Sequence, residues 1–131
     1  MPSVPDAYVD LFEKPSVAVL GTLLPTGYPH VTPVWIDYDG EHLLVNTARG
    51  RQKERNVARN PSVGVSVIDH EDFYRYLTAY GDVTDLREEG AVEHIHELSR
   101  RYTGEEYGNL GAEEGARVII EITPERVMAS G

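Results

Sequence analysis

The sequence has no cysteine. Disulfides, thiolate metal sites, iron–sulfur ligation and cysteine nucleophiles are therefore excluded. Lysine is scarce, with only Lys14 and Lys53, and Trp35 is the single tryptophan. No apolar run approaches the roughly 20 residues that a membrane-spanning helix needs. The N-terminus has no basic region followed by an apolar one, so a cytoplasmic location is the expectation. The sequence also has no Gly-x-Ser-x-Gly, no nucleophile triad and no paired acids in motif context. Whatever chemistry it performs is not announced by a side-chain catalyst.

What is present suits one domain spanning residues 1–131, with 40% apolar residues and a single core. The net charge is −10. That balance argues against a nucleic-acid module, because a phosphate backbone demands a basic face. Salt-adapted proteins and ordinary acidic proteins share such a composition.

One stretch departs from it. "NTARGRQKERNVARNP", Asn46 to Pro61, holds Arg49, Arg51, Lys53, Arg55 and Arg59 against one acid, Glu54. Its surroundings define its context. Residues 6–13 read as a short helix stopped by Pro15. Strands are expected at 16–24, 30–38 and 41–47, separated by the turn residues "PTGYP" and by Asp39–Gly40. The basic stretch then forms a helix over 51–59 ended by Pro61, with Val57 as its anchor to the core. Two more strands follow at 62–69 and 73–86, then a helix over 88–102 with Ala91, Ile95, Leu98 and Tyr102 on one apolar face. A polar loop, "TGEEYGNLGAEEG", precedes a last strand at 116–130. Pro33 belongs at a sheet edge or bulge and Gly81 at a bulge. The sum is mainly β (α+β): six antiparallel strands and two to three short helices, in a closed or nearly closed barrel or, alternatively, an α+β sandwich.

The start of the basic helix has the makings of an anion site. First-turn amides lack intrahelical partners and the helix dipole is positive there. Arg51, Lys53 and the Thr47 hydroxyl gather at that point, a set that suits a phosphate monoester. Arg55 and Arg59 continue the stripe, either toward a ligand or as a solvated face paired with acidic neighbours.

In order and spacing, "G-x-P-x-x-x-P-V-W" from Gly27 and "R-x-K-x-R-N…N-P" from Arg51 resemble the flavin- and deazaflavin-binding split-barrel family related to pyridoxamine 5'-phosphate oxidase. The chain looks closest to the small branch whose members often use the deazaflavin F420. The resemblance extends through "RYTGEEY" and the closing "RVIIEITPERVMAS". It implies a homodimer with cofactor at the interface. By position it implies that the backbone of Val31, Thr32, Pro33, Val34, Trp35 and Ile36 lines the tricyclic ring. Asn46 and Thr47 would reach the ring or phosphate, and Arg51 and Lys53 would hold the phosphate. Tyr76 would serve the neighbouring subunit's cofactor. The terminal basic and aromatic cluster of pyridoxamine phosphate oxidases proper is missing, so vitamin B6 oxidation is not expected.

The expected function is hydride transfer from reduced F420 to a small conjugated or quinone-like acceptor, with FMN as the alternative cofactor and a non-enzymatic cofactor carrier as a further alternative. Arg49, Arg55 and Arg59 would receive the extra carboxylates of a deazaflavin tail. Trp35 would either stack beside the ring or pack in the core. Tyr74, Tyr76 and Tyr80 alternate along one strand face and line the cleft or a partner. His94 and His96 point about 200° apart on their helix and read as solvated, and no metal site is expected. The loop at 103–115 reads as solvated, or as a lid.

Overall fold

A computed structural model describes residues 2–110 and 115–131. A 3-10 helix, Asp6–Phe12, leads into seven strands and two α-helices. The strands are β1 (Val17–Leu23), β2 (Pro29–Val34), β3 (Ile36–Tyr38), β4 (Leu43–Ala48), β5 (Ser62–Ile68), β6 (Tyr76–Arg87) and β7 (Arg117–Ser130). Helix α1, Gln52–Arg59, follows β4, and α2, Ala91–Thr103, follows β6.

All seven strands form one antiparallel sheet in the order β2-β1-β5-β6-β7-β4-β3. The two edge strands, β2 and β3, are consecutive in the chain and separated by Trp35 alone. The ends of the sheet must therefore meet at Trp35, which curls the sheet into a split barrel. This corrects the expected strand count. The segment 30–38 divides at Trp35, two residues after Pro33, between opposite edges of the sheet.

Alternation explains the core. β1 turns Ala18, Leu20 and Thr22 inward, and β5 turns Val63, Val65 and Val67 inward. With Leu43, Val45, Leu77, Ile120, Ile122 and Val57 they fill the barrel. Where α2 lies against β4 and β7, the outer face is buried too, through Leu44, Ala91 and Ile119. That double burial is why Leu43–Val45 and Val118–Ile120 are unbroken apolar runs.

Both expected turns form, with Gly27 at φ 88° and Gly40 at φ 97°. Pro33 sits on the edge strand β2, opposite Val19. The β6–β7 register shifts between Tyr80 and Gly81, the expected bulge. Tyr74 lies in the turn before β6 and outside the strand, so the three-tyrosine alternation holds only for Tyr76 and Tyr80. Part of the expected lid, residues 111–114, lies outside the described residues. None of the described helices is long and apolar enough to cross a membrane.

Candidate cofactor cleft

The turn from β4 into α1 is set by its one acid. Glu54 Oε1 accepts the Gly50 N–H at 2.8 Å, and the Arg51 N–H bonds back to Ala48 O at 3.2 Å. Gly50 takes φ 92°, a left-handed value that glycine adopts freely. Arg51 is the N-cap and makes no side-chain cap bond among the described residues. On the helix's inner face Val57 packs in the barrel. Fully buried Asn56 donates to Thr22 Oγ1 at 3.0 Å and accepts from Gln52 at 2.7 Å. These contacts fix the rotation of α1.

That rotation divides the basic residues. Arg51 and Lys53 line a cleft of about 350 Å³, together with Pro33, Val34, Trp35, Asn46, Thr47, Ile95, Tyr107 and Arg117. Arg55 instead bonds Gln52 at 2.8 Å, and Arg59 bonds the Leu23 carbonyl. Arg49 pairs with Glu88 at 3.1 Å and approaches Glu54 at 3.7 Å. Arg49, Arg55 and Arg59 thus lie outside the cleft, as a charged face with neighbours of its own.

Among the described cleft residues three are cationic and none is acidic. Burial, together with the nearby Arg51 and Arg117 charges, holds the Lys53 ammonium below its ordinary pKa. An anion bound among these groups would relieve that repulsion. Thr47 is 1% exposed, and its Oγ1 has no hydrogen-bond partner among the described residues. A buried hydroxyl without a partner is costly, and an anionic oxygen in the cleft would satisfy it. The donor set therefore fits a phosphate-bearing cofactor. A larger groove of about 520 Å³ crosses Gly21, Gly64, Tyr80 and Gly81. Its charged lining residues are Asp82 and Glu125, the wrong sign for a phosphate.

At Trp35 the indole stacks on Tyr102, with centroids 5.5 Å apart and planes at 17°, and meets Tyr107 edge-on at 6.3 Å. The Tyr102 hydroxyl accepts the Ile36 N–H at 3.2 Å. Ile36 itself is a fully buried barrel residue, so its side chain turns away from the cleft. Val31, 60% exposed, faces the outer side of β2, and neither it nor Thr32 lines the cleft. Tyr76 stands on the outer face of β6, outside this chain's cleft.

Helix α2 holds a correction. His94 is buried, not solvated. Its Nε2 lies 3.0 Å from Asp37 Oδ2 and its Nδ1 lies 3.1 Å from Asn46 Nδ2. Burial opposes the Asp37 charge, but His94, the Tyr38 amide and Arg101 outweigh it and leave its pKa below the ordinary value. His96 lies 3.0 Å from Glu106 and accepts the Tyr107 N–H at 3.1 Å, which anchors the segment that brings Tyr107 to the cleft. Elsewhere Asp69, His70 and Glu71 bring ligand atoms within 4.8 Å of one another. Asp69 is already engaged by Lys14 and Arg75, each at 3.0 Å.

The family model for pyridoxamine 5'-phosphate oxidase matches residues 4–130. The chain belongs to that family. Curated proteins offer no match. Among solved structures, an F420 reductase is 36% identical over 95% of this chain and 98% of its own, with a TM-score of 0.83. A conserved hypothetical protein from Mycobacterium tuberculosis is 24% identical over 97% of this chain and 84% of its own, at a TM-score of 0.73. HupZ from Group A Streptococcus is 19% identical over 96% of this chain and 93% of its own, at 0.70. These last two speak for the fold alone.

Within this pyridoxamine 5'-phosphate oxidase fold, sequence reasoning missed Ile95, Tyr107 and Arg117 as cleft residues. Tyr107 ends the "RYTGEEY" segment, and that shared motif was the only signal the sequence offered for it. Arg117 heads an apolar strand, and nothing local in the sequence ties it to the cleft, since its place depends on β7 pairing with β4.

Proposed function

We propose that this chain, an oxidoreductase by family membership, is an F420-dependent reductase acting on a small conjugated or quinone-like acceptor. The observation that carries the reading is the meeting of Arg51, Lys53 and a Thr47 hydroxyl without a partner among the described residues in one cleft with Trp35. Similarity to a protein named F420 reductase favours the deazaflavin over FMN. The same donors suit an FMN phosphate, so an FMN-dependent oxidoreductase is the second reading.

When bound, the cofactor supplies the hydride chemistry. The chain's own residues bind and orient it. The Arg51 fork, the Lys53 ammonium and the Thr47 hydroxyl donate to the phosphate. Pro33, Val34 and Trp35 offer a stiff platform for the ring, because Tyr102 pins the crossing between the two edge strands. Tyr107 and Ile95 give the cleft apolar walls that exclude water from the reacting atoms.

We further propose that residues 1–131 act as one cytoplasmic unit that pairs as a homodimer. The outer faces of β2, β6 and β7 expose Val31, Tyr76, Tyr80 and Met128, a band of apolar surface that a second copy would cover. Tyr76 would then serve the partner's cleft.

Titration of the apo-protein with F420 and with FMN, followed by Trp35 fluorescence, tests the reading. Tight F420 and weak FMN are expected, with turnover of quinone-like acceptors. Tight FMN alone moves the protein to the flavin branch. Cofactor binding without turnover of any acceptor makes it a carrier, and binding of neither overturns the reading.

A further inference from the structure

The cleft contains a third cation, and four elements of the fold cooperate to hold it. Arg117, 5% exposed, opens β7 and pairs in register with Ala48 at the end of β4. Its Nε–H donates to Asn46 Oδ1 at 2.9 Å, and its Cζ lies over the Tyr107 ring at 5.0 Å. Two contacts of different kinds thus fix the plane of the guanidinium beside Arg51 and Lys53.

The hydrogen bonds behind Arg117 run in one direction only. A guanidinium can donate but not accept, so the Asn46 oxygen faces Arg117. The Asn46 amide nitrogen must then face the other way. It does, toward the Ala91 carbonyl at 2.8 Å and His94 Nδ1 at 3.1 Å. A carbonyl can only accept, so both ends of the Asn46 amide give the same orientation. His94 Nδ1 is therefore an acceptor and the ring proton sits on Nε2, which donates to Asp37 Oδ2 at 3.0 Å. Asp37 is held in turn by Arg101 at 3.1 Å and the Tyr38 amide at 2.9 Å. Every group in the row has one possible role, and reversing any of them sets donor against donor.

We propose that Arg117 is a third cationic ligand for the anion bound in this cleft, and that Asn46, His94 and Asp37 are positioning residues that aim it. The proposal rests on the cofactor-cleft reading above. It also reassigns Asn46: its oxygen and nitrogen are both engaged within the protein, so it serves the ligand through Arg117. The recognised chemistry is a phosphate group, whether carried by a deazaflavin, by FMN or free in solution.

The test uses inorganic phosphate, FMN and F420 as probes on the full chain, with two readouts. In the first, ring nitrogen NMR of His94 in the native protein shows the Nε2–H tautomer, and an Nδ1–H form overturns the relay. In the second, affinities are compared across variants. Arg117→Met weakens phosphate and cofactor binding roughly 10- to 100-fold. His94→Leu weakens it roughly tenfold, as loss of a supporting residue does. His94→Gln, which keeps an acceptor for Asn46 and a donor for Asp37, restores most of it. In the Arg117→Met background His94→Leu has no further effect, a result that general loosening of α2 would not produce. Native affinity in Arg117→Met overturns the proposal while leaving the cofactor reading intact. An undiminished His94→Leu effect in that background overturns the positioning role. A native protein that binds none of the three probes overturns the cofactor reading and the proposal together.

Discussion

The ring of Tyr102, on α2, lies against the indole of Trp35 at 5.5 Å while its hydroxyl accepts the Ile36 N–H at 3.2 Å. One side chain therefore braces the single residue at which the chain crosses between the two edges of the sheet. Tyr102→Phe keeps the stacking and removes the acceptor. It leaves the Ile36 amide without its partner and lowers stability by about 1–3 kcal/mol. Urea unfolding followed at Trp35 measures this, and an unchanged midpoint would refute the bracing role.

Glu54 locks the turn from β4 into α1, accepting the Gly50 N–H at 2.8 Å while 7% exposed. Glu54→Ala frees that amide and costs about 1 kcal/mol, the size of a lost helix cap. On the proposed reading, cofactor affinity falls with it, because Arg51 and Lys53 are carried on the same turn. Glu54→Gln retains an acceptor oxygen and keeps most of both. Equal affinities for the Ala and Gln variants would show that the turn holds itself.

On the proposed reading, removing Arg51 and Lys53 together, as Arg51→Met with Lys53→Met, weakens cofactor binding by about 3 kcal/mol or more, since charge-assisted bonds are the strong kind. Arg55→Met changes binding little, because that side chain is turned to Gln52 and away from the cleft. Calorimetric titration separates the two, and a larger loss for Arg55→Met would mean that the outer face of α1 reaches the ligand after all.

The part of this site that was legible in the sequence is the part that is local. Thr47, Arg51 and Lys53 lie within one strand–turn–helix, where spacing alone places them. Pro33 to Trp35 are likewise contiguous. Arg117 was not legible, because its place in the cleft depends on β7 pairing with β4 across the barrel. His94 read as solvated for the same reason, since its partner Asp37 is 57 residues away. The missed seventh strand has another cause. The break at Trp35 is imposed by barrel closure, and Pro33, the breaker nearest to it, reads equally well as an edge-strand residue.

Gly81 is fixed by close approach. A Cβ there would stand 2.2 Å from the Thr123 carbonyl oxygen, at the bulge between β6 and β7. Gly81→Ala therefore costs about 1–3 kcal/mol, as overpacking does. Gly64, in the neighbouring strand β5, offers the control, since its added Cβ meets nothing nearer than Ala79 O at 4.0 Å. Comparable melting temperatures for the two alanine variants would remove the steric argument.

Asp69 sets an acid limit. The Glu71 amide, Lys14 and Arg75 lower its pKa from 3.8 to about 2. The folded chain therefore binds this proton more weakly than the unfolded chain does. Linkage then fixes the sign: the stabilisation is fully present above the unfolded value and is lost as pH falls through the folded one. Stability should decline from about pH 4 toward pH 2, partly through this group. Asp69→Asn removes its share of that slope while lowering stability at neutral pH, because Lys14 and Arg75 lose a common partner. Urea midpoints recorded across the acid range decide it. A variant whose midpoint falls as steeply as the native protein's would show that other carboxylates carry the acid transition.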